Sequence, residues 1–203
     1  MCGRYLIDDE VYADMWMMLS SVADAVHPVA SSQQDALVRG EVFPTNIAPV
    51  MFNGKTAAAK WGFPHWKNAG VIINARAETA MQKRMFSKPL MESRCVIPSS
   101  GFYEWNRSID GKEKNKFLLR QPGERLLYMA GIIGTFRDEN NADYSAFVIL
   151  TTNANDSVSP IHDRMPVILA HDERNHWIND DTFVEHVLHR TGPELMHIKQ
   201  EAG

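Results

Sequence analysis

Short apolar segments separated by turns dominate this chain and constrain its fold more than any other feature. Residues 46–52 have a strand-like pattern and are followed by the hairpin signal Asn53-Gly54. The same apolar or alternating pattern recurs at residues 57–61, 71–73, 94–98, 102–105, 116–119, 127–136, 144–151 and 165–169. Strands and helices do not alternate regularly along the chain. The sequence therefore predicts an α+β fold with a mostly antiparallel, barrel-like β core flanked by helices.

Helical patterns lie before, between and after these strands. Residues 8–20 begin with acidic side chains and continue with apolar residues at helical spacing, which predicts an amphipathic helix. Further helices are predicted at residues 78–92, with an interruption at Pro89, and at residues 154–159 and 180–189.

Composition indicates a soluble globular protein. The chain has 203 residues, 44% hydrophobic and 23% charged, and we expect one domain over residues 1–203. At this length, folding buries roughly two-thirds of the surface of the unfolded chain, so a core needs no disulfide or metal. No apolar run approaches the roughly 20 residues of a membrane-spanning helix, and no signal peptide begins the chain. We therefore expect a cytoplasmic protein without membrane association, and the sequence indicates no particular protein partner.

Basic residues concentrate in the middle of an otherwise acidic chain. The formal net charge is −4 overall, but it is −5 for residues 1–45, +8 for residues 46–120 and −7 for residues 121–203. A positive patch on an acidic protein can attract phosphates locally while the rest of the surface stays soluble. By itself the pattern favours an ordinary solvated surface, although it is compatible with a nucleic-acid partner.

Cys2 is the residue most suggestive of chemistry. Removal of Met1 would leave a cysteine with a free α-amine, and this amine has a pKa of about 7.8, against about 10.4 for lysine. The amine is therefore a good imine former near neutral pH, and with the thiol it can trap an aldehyde as a five-membered thiazolidine. Alternatively, the thiol can attack an acyl carbon with the amine as base. A chance cysteine behind the start residue is the alternative to both.

Three other positions could contribute polar groups to a site. Asn74 and Arg76 follow an apolar strand and could orient an amine and grip a phosphate, or could serve as a helix cap and a surface ion pair. Glu104 stands between aromatic residues, where burial would raise its pKa toward the range useful for acid–base catalysis. Strand alternation could equally point Glu104 at water.

His162 lies in the polar triplet His162-Asp163-Arg164, between two prolines and just before an apolar strand. Its ordinary pKa makes it a candidate proton shuttle. The other histidines are not accompanied by cysteines or carboxylates at metal-ligand spacing, so no metal site is predicted. The chain has no glycine-rich phosphate loop either, and no cofactor is predicted.

Seven segments, taken in order, resemble the SOS response-associated peptidase (SRAP) family. They are MCGRY at residues 1–5, NIAP at 46–49, WGFPHW at 61–66, NARAET at 74–79, RCVIP at 94–98, GFYEW at 101–105 and IHDRMPVIL at 161–169. The motifs span about residues 2–190. Where the family usually has an arginine and a tyrosine before the second segment, this chain has Phe43, Pro44 and Thr45.

The resemblance implies a single-domain protein that binds single-stranded DNA and crosslinks covalently to abasic sites in the DNA damage response. We also expect the protein to be a monomer and to associate with the nucleoid when bound to DNA. It further implies self-removal of Met1 and an accompanying lyase activity. The implied roles, carried over by motif, are Cys2 as nucleophile, Asn74 holding its amine, Glu104 as acid–base group and His162 in sugar ring opening and proton transfer. The implied DNA contacts are Arg4, Arg76 and Arg164 to phosphates and Trp66 as a stacking surface.

Two other functions are compatible with parts of the sequence. Glutamine amidotransferases also begin with Met-Cys-Gly, so an N-terminal-cysteine amidohydrolase is one alternative, supported by the first three residues alone. The other is a noncatalytic module that binds single-stranded DNA, in which Cys2 is incidental. Release of ammonia from glutamine would favour the first, and binding without a crosslink would favour the second.

Overall fold

A computed structural model of the protein describes residues 2–20, 38–65, 69–107 and 114–200. Its centre is a closed ring of five hydrogen-bonded strands, in which every neighbouring pair is antiparallel except one. In ring order, the strands are β3 (Ile47–Phe52), β4 (Lys55–Trp61), β12 (Asp143–Asn153), β11 (Leu127–Arg137) and β8 (Arg94–Ser99). The exception is the parallel pair β4 and β12. The predicted α+β fold with a mostly antiparallel barrel is confirmed.

A second antiparallel sheet carries both ends of the described chain. Its strands, in order across the sheet, are β15 (Met196–Lys199), β10 (Lys114–Arg120), β9 (Gly101–Arg107), β1 (Arg4–Ile7) and β2 (Gly40–Val42). Gly101 starts β9, and a Cβ there would lie 2.6 Å from the carbonyl oxygen of Leu119 on β10. Only glycine permits this close approach, which sets the register that places Glu104.

Five short strands complete the β structure within the described ranges. They are β5 (Phe63–Pro64), β6 (Val71–Ile72), β7 (Asn74–Arg76), β13 (Arg164–Pro166) and β14 (Ile168–Leu169). The predicted strand at residues 165–169 is thus divided in two, because the backbone of Val167 bonds to Leu150 and Ala130 between the two pairings. Both β7 and β13 pair with the last residues of β12, and this end of the barrel carries the candidate site.

The described helices are α1 (Asp9–Ser20), α2 (Ala77–Ala80), α3 (Arg84–Glu92), α4 (Glu173–Asn179) and α5 (Phe183–His189). The predicted first helix is confirmed, and the Asp8 side chain caps it by accepting from the Val11 backbone N–H. The predicted interruption at Pro89 is wrong, since Pro89 lies inside α3. The break falls instead at residues 81–83, where i→i+3 hydrogen bonds close α2 and Lys83 becomes extended.

Two other helix predictions need correction. Residues 154–159 form turns rather than a helix, because the Asn155 side chain accepts hydrogen bonds from the backbone N–H groups of Ser157 and Val158. The last predicted helix begins at Phe183 rather than at residue 180, since Asp180 caps Thr182. Helix α4 was not predicted.

Alternate residues of the barrel strands enter two separate cores. Phe147 and Ile149 of β12 join a cluster with Cys2 and with Tyr5 and Phe102 of the second sheet. The intervening residues of β12 pack with α2, α3, α4 and α5 in the other cluster. Because Cys2 belongs to the first core, the first described residue lies inside the fold.

Candidate active site

Cys2 is fully buried and lies two residues before β1 begins. Its Sγ lies 3.8 Å from the carbonyl oxygen of Arg4. Burial raises the pKa of the Cys2 thiol far above its usual range, and the nearby Glu104 carboxylate raises it further. The thiol is therefore protonated at neutral pH, so a reaction through its sulfur requires a base close by.

Asn74 fixes the position of Cys2 from the opposite side. Its Nδ2 donates a hydrogen bond of 2.9 Å to the Cys2 carbonyl oxygen. A carbonyl can only accept, so this bond also determines the orientation of the amide. The Oδ1 end is buried and has no hydrogen-bond partner within the described residues, which leaves one acceptor beside the cysteine. Parallel pairing of Asn74 with Ile149 of β12 holds the residue in place.

Glu104 points into the protein, on the same face of β9 as the buried Phe102. Only 3% of the residue is exposed. Burial raises the pKa of Glu104, and the facing His162 opposes this effect. Of the two orientations that the sequence leaves open, the structure thus has the buried one, with a carboxylate that is more basic than usual.

His162 faces Glu104 with its Nε2, 4.0 Å from Oε2. Its Nδ1 accepts a hydrogen bond of 3.0 Å from the Arg164 backbone N–H, so in the neutral ring the proton resides on Nε2. Asp163 Oδ1 lies 2.8 Å from the same Nδ1, but the Asp163 side chain is 85% exposed. In the imidazolium form Nδ1 becomes a donor and Asp163 can accept from it. The ring can therefore hold a proton on either side.

The structure thus brings together the four residues predicted to carry chemistry, namely Cys2, Asn74, Glu104 and His162. Strand pairing holds Asn74 in β7 and Glu104 in β9, while Cys2 lies two residues before β1 and His162 lies two residues before β13. The arrangement offers a nucleophile, a base, a proton carrier and an amide that positions the nucleophile.

The three predicted phosphate-binding arginines have different environments. Arg76 is exposed at the start of α2. Arg4 bonds Glu41 at 3.1 Å and stacks on Phe43 and Trp105, with its guanidinium carbon 4.5 and 5.1 Å from the ring centres. Arg164 is buried, so a phosphate contact would require it to leave its present partners.

Glu78 is the main partner of Arg164 and was not singled out in the sequence. Arg164 Nη1 and Nη2 lie 2.6 and 2.9 Å from the two Glu78 oxygens, and Nη2 also donates to the Thr151 carbonyl. The hydrogen bond from Arg164 lowers the pKa of Glu78. This pair ties the segment that carries His162 to the helix that follows Asn74. Glu78 lies in the same motif as Asn74, which is the one signal that could have identified it.

Trp66, the predicted stacking residue, lies outside the described residues. Among those described, Trp105 and Phe43 offer aromatic surface, and Phe43 is 40% exposed. A cavity of about 350 Å³ beside the start of β1 is lined by Gly3, Arg4, Trp105 and Lys114.

Within the described parts of the chain, no group of three histidine, cysteine or acidic side chains is arranged to hold a metal ion. Across those same ranges, no helix is both long and apolar enough to cross a membrane.

The fold and the site together define an α+β barrel protein built around a buried cysteine at position 2. The chain belongs to the SOS response associated peptidase (SRAP) family, whose model matches residues 1–199.

Curated relatives carry related names. "Abasic site processing protein YoqW" of Bacillus subtilis is 35% identical over 194 residues, which cover 88% of this chain and 80% of the relative. "Abasic site processing protein YoaM" of the same organism is 36% identical over 156 residues, covering 70% and 68%. "Abasic site processing protein HMCES" of Xenopus tropicalis is 31% identical over 145 residues, covering 58% and 42%.

Solved structures share the fold. A protein from Bacteroides thetaiotaomicron superposes with a TM-score of 0.80 at 21% identity, covering 98% of this chain and 92% of its own. A protein from Bordetella bronchiseptica gives a TM-score of 0.75 at 18% identity, covering 99% and 100%.

Proposed function

We propose that this chain, once Met1 is removed, binds single-stranded DNA and captures the aldehyde of an abasic site through Cys2. The observation that supports this most is that Asn74, Glu104 and His162 surround a cysteine which Met1 removal makes N-terminal. The curated relatives are named abasic site processing proteins, and these names support an abasic site as the lesion that this chain captures.

The crosslink needs no cofactor. The Cys2 amine adds to the open-chain aldehyde carbon, and one water leaves to give an imine. The Cys2 sulfur then adds to the imine carbon while its proton passes to the nitrogen, which closes a thiazolidine. The net change is the loss of one water, so no oxidant or reductant takes part.

Each surrounding residue has a role that follows from its position. Glu104 is the base for the Cys2 thiol, since burial gives its carboxylate more affinity for a proton than usual. His162 relays protons during opening of the sugar ring and during reversal of the adduct. The Asn74 carboxamide, already bonded to the Cys2 carbonyl, can accept from the new amine through its other end.

Removal of Met1 breaks the Met1–Cys2 peptide bond with consumption of one water. We assign acid–base assistance in this step to Glu104 as well. Phosphate contacts from Arg4 and Arg76 would hold the strand without reading its sequence. Binding should then weaken as salt rises.

The deciding experiment is intact-mass analysis before and after incubation with a single-stranded oligonucleotide that carries one abasic site. We expect protein lacking Met1 to gain the mass of the oligonucleotide minus one water. Cys2→Ala should abolish this gain, whereas Cys95→Ala, which changes the other fully buried cysteine, should keep it.

Three results would contradict the proposal. Processed protein that forms no adduct would exclude crosslinking, and an adduct with Cys2→Ala would exclude the terminal aminothiol as the trap. Ammonia released from glutamine without a DNA adduct would favour the amidohydrolase.

A further inference from the structure

The outer face of the second sheet carries an ion cluster of which the proposed function uses only Arg4. Glu41 of β2 bonds two cations at once, with Oε1 3.1 Å from Arg4 Nη1 and Oε2 2.7 Å from Lys116 Nζ. Lys114, exposed on the same strand as Lys116, has no salt bridge within the residues described. This face therefore presents two cations bonded to one carboxylate, and Lys114 lines a cavity with Arg4 nearby.

Aromatic rings hold the two bonded cations in place independently of Glu41. Lys116 Nζ lies 4.1 Å from the centre of the Tyr103 ring, and Arg4 lies against Phe43 and Trp105. Such cation–π contacts persist when a counter-charge leaves. If Glu41 moves away, Arg4 and Lys116 remain side by side and poised to hold another anion.

All three charged groups reach solvent. The side chains of Arg4, Lys116 and Glu41 are 39%, 28% and 24% exposed. Ion pairs with this degree of exposure are individually weak. A backbone phosphate can compete with such a carboxylate, because its binding also releases counterions from the nucleic acid.

We infer that Arg4 and Lys116 form a phosphodiester site which Glu41 occupies in the free protein, and that Glu41 is displaced when single-stranded DNA binds. This inference rests on the proposed function. Arg4 is two residues from Cys2, so the phosphate concerned belongs to the strand beside the reacting sugar.

The competition has a consequence for selectivity. Every undamaged strand must displace Glu41 to bind, which keeps reversible affinity low for DNA in general. A strand with an abasic site meets the same barrier but is then retained by the covalent bond. The protein thus discriminates between damaged and undamaged DNA because its reversible complex with undamaged strands is weakened.

The test measures binding of a lesion-free single-stranded oligonucleotide across a range of salt concentrations, for the wild type, Glu41→Gln and Asp143→Asn. Glu41→Gln keeps the shape of the side chain and removes its charge. Asp143→Asn is the matched control, since it also neutralises a carboxylate paired with an arginine, Arg137. Asp143 and Asn153 lie at opposite ends of β12, so the control is remote from the site.

We expect Glu41→Gln to bind about three- to tenfold more tightly at low salt. The variant's plot of log affinity against log salt concentration should be steeper than that of the wild type, because salt also weakens the Glu41 ion pairs that compete with DNA in the wild type. Asp143→Asn should match the wild type. Undamaged competitor DNA should also slow crosslinking by Glu41→Gln more than crosslinking by the wild type.

Unchanged or weaker binding by Glu41→Gln would overturn the inference, and so would an equal increase in affinity for Asp143→Asn, which would show an effect of net charge alone. Crosslinking is scored separately with the abasic oligonucleotide. Wild-type protein that binds but never crosslinks would refute the proposed function, while the salt data would still decide the role of Glu41. A wild type that neither binds nor crosslinks would overturn both.

Discussion

The side-chain amide of Asn74 donates a hydrogen bond of 2.9 Å to the carbonyl oxygen of Cys2, 72 positions away in sequence. The bond joins a residue two positions before β1 to β7, a short strand that pairs with β12 of the barrel. It makes the position of the cysteine depend on the barrel, and it leaves an acceptor of the same amide free within the described structure.

We expect Asn74→Ala to lower the free energy of unfolding by about 1–2 kcal/mol, because the partly buried carbonyl loses its donor. The crosslinking rate should fall about tenfold, since the amine is no longer positioned. Chemical denaturation and single-turnover gel assays measure the two effects. Asn179→Ala, on an exposed face of α4, is the control. A full crosslinking rate in Asn74→Ala would exclude a positioning role.

Glu104→Gln should slow crosslinking while leaving reversible DNA binding nearly unchanged, because the variant lacks the base for the Cys2 thiol. It should also raise the stability of the protein at pH 7. Burial raises the pKa of Glu104 in the folded state, so the ionised carboxylate destabilises the fold above that pKa. The penalty diminishes as pH falls toward the ordinary pKa of about 4.3 and is absent below it.

Melting temperatures of the wild type and Glu104→Gln across pH 4 to 8 test this prediction. The two curves should meet in acid and separate toward neutral pH, with the variant higher. A variant that is less stable at pH 7 would show that the carboxylate is favourably paired. An unchanged crosslinking rate would remove Glu104 from the chemistry.

Glu78→Gln should have the opposite pH dependence. The hydrogen bond from Arg164 lowers the pKa of Glu78, so the pair stabilises the fold above the ordinary glutamate pKa, and this contribution is lost as pH falls through the lowered value. We expect a loss of about 1–2 kcal/mol at pH 7, since the Arg164 guanidinium stays buried without its counter-charge.

Urea unfolding at pH 7 and in acid measures this loss. The control is Glu92→Gln, which removes an exposed pair with Lys88 and should change stability by less than about 0.5 kcal/mol. A loss for Glu78→Gln that stays constant down to the lowest pH would argue against the ion pair as its cause.

Arg76→Ala should weaken binding to all single-stranded sequences by a similar factor, because an exposed guanidinium that contacts phosphate reads no bases. The slope of log affinity against log salt concentration should become shallower by about 0.7, because one phosphate contact is lost. Binding to homopolymers of different bases, measured by fluorescence anisotropy, separates this outcome from base reading. A loss confined to one base would mean that Arg76 contacts base edges.

The sequence predicts the class of fold well, because strand alternation is a local property. It fails where a local pattern has two solutions that only tertiary contacts can distinguish. Residues 78–92 are helical in pattern, but the chain turns at residues 81–83 so that Ala77 and Ala80 of α2 and Phe86 and Leu90 of α3 can all be buried. Glu104 could face either way until the register of β9 placed it with Phe102.

The site shows the same limit. Residue types at Cys2, Asn74, Glu104 and His162 suggest chemistry, but their proximity depends on pairings such as Tyr5 with Phe102, which local sequence cannot specify. The family resemblance supplied this grouping. Neither the residues nor the resemblance predicted the partners Glu41 and Glu78, because a carboxylate beside an arginine in space need not be near it in sequence.

The pairing of β4 with β12 has a consequence for the order in which the protein acquires its parts. It joins Lys60 to Ala146, and the barrel cannot close before that contact forms. Contacts so distant along the chain form slowly. Asn74 and His162 flank the other end of the same strand, so the site and the closed barrel both depend on β12 being in place. Any reaction at Cys2 that depends on Asn74 and His162 therefore requires β12 to be in place, and the proposed loss of Met1 from newly made protein would report when that is so.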